Sequence, residues 1–220
     1  MAKEILSSLQ KKFILLFSKN KELCKQFYLS GGTALSQYYL QHRYSEDLDF
    51  FCFKQFEILS INAFLKENKK KLGIKKIDFQ QSFNRNLFFI HTKDEALKAE
   101  FTCYPFEQIE KPVKKNGMLV DSLMDIAVNK AFTIFQNPRS RDFIDLYLIL
   151  NNYDKVKFEA LFKMAGSKFD SQIDPIQLGA QLMKAEDIQD LPRMLVEISH
   201  EKWRNFFLKQ AKLLSKQLFK

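Results

Sequence analysis

Between Ser30 and Phe51 the chain reads SGGTALSQYYLQHRYSEDLDFF, with the pair Gly31 and Gly32 near one end and Asp47 and Asp49 near the other. Carboxylates at i and i+2 of a strand project from one face, roughly 7 Å apart along the backbone. Two such charges repel, and a cation between them relieves the repulsion. Magnesium suits the pair, because it is a hard ion that prefers carboxylate and phosphate oxygens. Two such ions clamp the attacking and leaving oxygens of an in-line phosphoryl displacement. A glycine pair entering a helix adds exposed amides at a helix N-terminus, where a phosphate sits without side-chain obstruction. Alone, the glycine pair is weak evidence, and an isolated D-x-D is more often two solvated carboxylates at a strand end. Joined by one short helix, the two put a phosphate cradle and a metal site at neighbouring ends of adjacent strands.

Periodicity supplies the elements that must hold these residues. Apolar residues at helical spacing predict a first helix over Glu4 to Phe17, and Phe27 to Leu29 is a short apolar run before the glycines. Thr33 to Gln41 reads as helix, and DLDFFCF, Asp47 to Phe53, as strand. A helical pattern resumes from Glu57 to Lys71. Three strands follow over Ile74 to Ser82, Leu87 to Thr92 and Leu97 to Tyr104, whose short connections predict antiparallel pairing. KPVKKNG reads as a loop. From Asp121 to about Phe219 the chain is compatible with helix, broken around Asn137-Pro138, Gly166, Pro175 and Pro192. The expected division is a catalytic core over 1–116 and a helical region over 117–220.

Composition narrows the class of molecule. The 220 residues are 46% hydrophobic, enough for a sizeable core, and 23 phenylalanines against one tryptophan read as packing material. A formal net charge of +9 points to an anionic partner such as nucleotide or RNA, although any single lysine is by default solvated. The segment HEKWRNFFLKQAKLLSKQLFK forms an amphipathic helix whose basic face is available to RNA. Cys24, Cys52 and Cys103 lack paired spacing and fit reduced thiols, and His42, His91 and His200 have no zinc-type spacing. MAKEILSSLQKKFILLFSK has internal lysines and no membrane-length apolar run. The expectation is a cytoplasmic protein with no membrane partner.

YLSGGTALSQYYLQHRYSEDLDFF resembles the first motif of the AbiEii/AbiGii toxin family of nucleotidyltransferases, in which GGTAL, an arginine and S-x-D-hydrophobic-D recur in order. VDSLMDIAVNKAFTIFQNPRSRDFIDLYLIL, Val120 to Leu150, resembles the family's later helical motif through Lys130, Arg139, Arg141, Asp142 and Asp145. The family belongs to the polymerase-beta-like superfamily. The resemblance therefore implies an α/β (α+β) fold: a mixed sheet flanked by helices, followed by a helical C-terminal half.

By the same resemblance, Gly31, Gly32 and Thr33 hold the triphosphate of a nucleoside triphosphate, and Asp47 and Asp49 bind two magnesium ions. Glu100 is the candidate for the superfamily's third carboxylate, or else a solvated edge residue. Lys130 either neutralises phosphate charge or snorkels, and Asp142 either orients Lys130 or Arg43, approaches the metals, or satisfies a helix dipole. Arg43 meets phosphate or pairs with an acid, and Ser45 braces the turn before the strand. The implied activity is magnesium-dependent transfer of a nucleoside monophosphate to an acceptor such as tRNA or another RNA, as the toxin of a type IV toxin-antitoxin system with a cognate antitoxin. The alternative is a non-catalytic nucleotide-, RNA- or protein-binding module on the same fold. A kinase-like phosphotransferase is a further option.

Overall fold

The computed structural model describes residues 4–218. Met1 to Lys3 and the last two residues of the expected C-terminal helix, Phe219 and Lys220, lie outside them. The chain forms two compact units, one reaching through Glu107 and including Lys111–Ser122, the other made of Gln108–Glu110 and Leu123 onward.

The first unit opens with α1 (Ser8–Phe17). The helix starts at Ser8 rather than Glu4 because Ser7 closes a capping box, its hydroxyl accepting from the Gln10 amide while the Gln10 side chain accepts from the Ser7 amide. After α2 (Lys21–Gln26) come β1 (Tyr28–Ser30), α3 (Gly31–Leu35) and a π-helical turn over Ser36–Leu40 that ends at left-handed Gln41. Then follow β2 (Asp47–Cys52), α4 (Ile58–Glu67), α5 (Lys69–Leu72), β3 (Lys76–Ser82), β4 (Arg85–His91) and β5 (Ala96–Cys103). The expected KPVKKNG loop instead contributes β6 (Val113–Lys115), which forms a hairpin with β7 (Met118–Val120). The boundary expected at 116/117 falls inside that hairpin.

All seven strands form one mixed sheet in the order β3-β4-β5-β2-β1-β7-β6. The β3/β4 and β4/β5 pairs are antiparallel, as their short connections predict, whereas β2 lies parallel to β5 and β1 parallel to β7. In β2 the burial alternates, so Leu48, Phe50 and Cys52 face the core while Asp47, Asp49 and Phe51 face the other way. Phenylalanines supply the core. Phe17 stacks on Phe50 with ring centroids 4.3 Å apart, Phe50 stacks on Phe101 at 5.0 Å, and Phe13 meets Phe64 edge-on at 5.4 Å. Rings without a polar group leave no hydrogen bond unmet in this interior. Cys24, Cys52 and Cys103 are free thiols, and burial with Cys103 alongside pushes Cys52 to about 12.

The second unit is helical: α6 (Leu123–Gln136), α7 (Ser140–Asn152), α8 (Phe158–Lys168), α9 (Pro175–Met183) and α10 (His200–Leu218). The break expected at Gly166 is absent, since α8 runs through it and stops at Phe169. Pro175 opens α9 in its first turn, where its missing N–H costs nothing. Trp203 and Phe207 of α10 pack on Phe143 of α7 at 6.0 and 4.8 Å, which fixes the buried face of the amphipathic helix. No helix among the described residues is long and apolar enough to cross a membrane.

Phe101 touches the rings of Phe17, Phe27, Phe50 and Phe88 and is fully buried. The Phe101→Ala variant is expected to lose about 3–5 kcal/mol of stability, measured by denaturant unfolding.

Candidate active site

Strand register assembles the site. Ser30 of β1, Asp49 of β2, Glu100 of β5 and Leu87 of β4 are successive partners on one rung across the sheet. Asp47 pairs with Lys98 one pleat away. The chain leaves β1 at Ser30 directly into Gly31 and Gly32, so the glycine turn begins beside Asp49. A Cβ on Gly31 would collide with Asp49 Oδ2, and its φ of 69° lies in the left-handed region that disfavours other residues. A Cβ on Gly32 would lie 2.5 Å from the Arg43 guanidinium and 3.2 Å from Ser45 Oγ. Gly31 is therefore fixed by its left-handed φ and by close approach, whereas a side chain at Gly32 would push the end of the Arg43 side chain aside.

The surroundings brace this arrangement. The Thr33 hydroxyl, fully buried, donates to the Asp47 carbonyl and ties the helix after the glycines to the start of β2. Arg43 is buried and donates from Nη1 to the Tyr44 carbonyl at 2.9 Å. The Ser45 carbonyl accepts from the Gln10 side-chain Nε2 at 2.8 Å. Behind the glycine turn, buried Ser30 donates to Asp121 Oδ2 at 2.6 Å.

Two cations that sequence reasoning did not single out stand among the carboxylates. Lys98 Nζ lies 2.9 Å from Asp47 Oδ2 and 3.8 Å from Glu100 Oε2. Arg85 grips Glu100 with two hydrogen bonds, Nε to Oε1 at 2.6 Å and Nη2 to Oε2 at 2.7 Å, while Thr102 donates to Oε1. Burial pushes the Glu100 carboxyl up, but the Arg85 hydrogen bonds and charge, with Thr102 and Lys98, outweigh it and hold the group below the ordinary range. The Arg85 guanidinium is raised by its hydrogen bond to Glu100, against burial, and by the charges of Glu100, Asp49 and Asp47. In sequence, Asn84-Arg85-Asn86 reads only as a connection. The signal available for Lys98 was its i, i+2 relation to Glu100.

Asp47 and Asp49 offer hard oxygen donors beside a glycine turn that no Cβ can enter, a donor set that fits magnesium, which keeps several waters and takes further oxygens from phosphate. Glu100 fits a metal less well, since both its oxygens are engaged by Arg85. Among the described residues, no three His, Cys, Asp or Glu side chains are grouped to hold one ion.

Lys130, Asp142 and Asp145 belong to the second unit, where the structure joins them. Lys130 Nζ on α6 lies 2.7 Å from Asp142 Oδ1 and 2.8 Å from Asp145 Oδ2 on α7, all three buried. Asp142 also accepts from the Arg139 amide at 3.2 Å, closing the first turn of α7. Burial pushes Asp142 up, and the charge and hydrogen bond of Lys130, aided by Arg139, outweigh burial and the opposing Asp145 to bring it below the usual carboxylate range. A second buried pair, Lys168 with Asp125 at 2.8 Å, holds the 108–110 segment, because Asp125 also accepts from the Ile109 and Glu110 amides.

The depressed Asp142 and Glu100 contribute stability that is fully present above their unfolded values of about 4 and is lost as pH falls through their lower folded values. Thermal melts are expected to hold their midpoint from pH 7 to 5 as far as these groups are concerned and to drop below about pH 4, less steeply in Asp142→Asn. Lys130→Met leaves two buried carboxylates facing each other and is expected to cost about 3–5 kcal/mol in denaturant unfolding.

The chain is 30% identical over 196 residues to the Aquifex aeolicus (strain VF5) protein aq_aa25, covering 86% of this chain and 88% of that one. A candidate nucleotidyltransferase from H. pylori has a similar fold, with a TM-score of 0.61 at 21% identity over 97% of both chains. JHP933 from Helicobacter pylori superposes with a TM-score of 0.59 at 20% identity, covering 96% of this chain and 90% of that one. The model of the family described as nucleotidyl transferase AbiEii toxin, type IV TA system, matches residues 14–219, and the chain belongs to that family.

Proposed function

We propose that the protein transfers a nucleoside monophosphate from a nucleoside triphosphate to an acceptor, with pyrophosphate leaving. The observation that carries this reading is the shared rung: the glycine turn leaves β1 beside Asp49, and Asp47 projects from the same strand face. Gly31 and Gly32 offer the triphosphate a turn without side chains of its own, with the Asp49 carboxylate and the Arg43 guanidinium against it. Thr33 and Ser45 hold the turn and the entry to β2 in place, and Arg43 keeps a fixed positive charge against Gly32. Magnesium, bound by Asp47 and Asp49, supplies neutralisation of charge on the triphosphate oxygens. Such transfers depend on positioning and charge stabilisation, so a few carboxylates and cations are sufficient. Lys130 and Asp142 enter the proposal through the family motif. The basic helix α10 supports RNA as the acceptor class, tRNA among its forms, and the family description supports a toxin role opposed by an antitoxin.

The Arg85 clamp on Glu100 favours a second reading, a binding module that keeps the fold without turnover. A transfer assay separates the two. Purified protein is incubated with magnesium, total RNA and each labelled nucleoside triphosphate in turn, beside an Asp47→Ala, Asp49→Ala double variant. Label entering RNA with the native chain, reduced at least about a hundredfold in the variant, is the expected result. Absence of label in RNA, with no pyrophosphate released on any acceptor tried, selects the binding module. Gly31→Ala is expected to lose transfer by a similar factor, because its methyl group displaces Asp49.

A further inference from the structure

We propose that Lys98 is a built-in counter-ion of the carboxylate site, which competes with a divalent cation for Asp47 and then pairs with triphosphate oxygens. The inference rests on the nucleotidyltransferase reading of that site and adds a residue to which neither motif assigns a role. Lys98 stands opposite Asp47 in the parallel β2/β5 register, with its ammonium 2.9 Å from Asp47 Oδ2 and 3.8 Å from Glu100 Oε2. It thus bridges two carboxylates on neighbouring strands. Arg85 is committed to Glu100 by two hydrogen bonds in fixed fork geometry, whereas Lys98 holds Asp47 by one contact from a flexible four-carbon stem. The Lys98 side chain is one quarter exposed, which leaves its ammonium room to move.

The balance of charge explains why such a residue belongs here. Asp47, Asp49 and Glu100 share one sheet face beside one another, and both hydrogen bonds of Arg85 go to Glu100. Neighbouring carboxylates repel, and Asp47 and Glu100 both lie against the Lys98 ammonium. Lys98 relieves that repulsion, but a cation that coordinates Asp47 through the same oxygen takes the place of its ammonium. The displaced ammonium then faces incoming phosphate oxygens, a partner of the right sign. One lysine therefore weakens metal binding in the absence of nucleotide and strengthens binding of the polyphosphate, which couples the two ligands. A lysine serving only as a brace between β2 and β5 has no such opposed effects.

The test measures Mn2+ binding by electron paramagnetic resonance of the free ion, at constant ionic strength, for native protein, Lys98→Met, Lys98→Arg and Asp47→Asn. Binding of inorganic tripolyphosphate with saturating Mn2+ is then measured by calorimetry. Lys98→Met is expected to bind Mn2+ about tenfold more tightly and tripolyphosphate about tenfold more weakly, with Lys98→Arg close to native. Equal Mn2+ affinity in native and Lys98→Met, with Asp47→Asn weaker, overturns the role of Lys98 and leaves the metal site standing. Weaker binding of both ligands by Lys98→Met makes Lys98 a brace and also overturns it. Mn2+ affinity that is unaffected by Asp47→Asn removes both this proposal and the metal reading beneath it. Should Lys98→Met not fold, Lys98→Gln replaces it. In the native chain, the Lys98 ammonium resonance is expected to shift on addition of Mg2+ and tripolyphosphate, and an unchanged resonance overturns the proposal.

Discussion

Gly31 and Asp49 approach so closely that no Cβ fits between them, and the organisation of the first unit follows from that contact. It requires β1 to end on the rung that carries Asp49, which the antiparallel register Ser30 to Asp49 provides. It requires a left-handed residue at Gly31, so that the chain turns into α3 within one residue of the strand. It also requires the following helix to be tied back, as the Thr33 hydroxyl does at the Asp47 carbonyl. A sheet face bearing carboxylates is common. One with a backbone turn held directly against a carboxylate leaves no room there for any residue but glycine.

Charge compensation is the second theme. Each buried or half-buried carboxylate cluster has its own cation: Lys98 and Arg85 at the sheet, Lys130 between Asp142 and Asp145, and Lys168 on Asp125. Buried charges survive only when paired and hydrogen-bonded. These pairs differ in what holds them. Lys168 and Asp125 are almost wholly enclosed and also fasten backbone amides, which makes them structural. Lys98 and Arg85 keep access to solvent, but Arg85 holds Glu100 by two hydrogen bonds and Lys98 holds Asp47 by one.

Much of the site was legible because its signals are local. Glycine before helix, D-x-D in an aromatic strand, and i, i+2 alternation each depend on a few consecutive residues. The three antiparallel strands followed from short connections, and the breaks at Asn137-Pro138 and Pro175 from the proline ring. What failed depended on distant partners. β6 and β7 are three residues each, and β7 lies between β6 and β1, distant pairing that the reading of KPVKKNG as a loop did not show. Gly166 sits inside α8 because tertiary packing outweighs a penalty of about 1 kcal/mol. Arg85 was missed since its purpose is visible only when β4 lies beside β5. The Lys130 contact with Asp142 was one of the alternatives open in the sequence, whereas Asp145 as its second partner emerges only once α6 and α7 are packed together.

The parallel pairing of β1 with β7 bears on the order in which the molecule can be made. β1 is only three residues long and lies between β2 and β7, and its last residue, Ser30, is hydrogen-bonded to Asp121, 91 positions later. Loops of that length close slowly compared with the hairpins of β3, β4 and β5. As the chain emerges from the ribosome, Asp47, Asp49 and Glu100 are all available before β7 has been synthesised. The strand that launches the glycine turn still lacks one of its two neighbours and its anchor at Asp121. The glycine turn is therefore among the last parts of the sheet to settle, and a nascent chain displays the carboxylates well before the turn beside them is anchored.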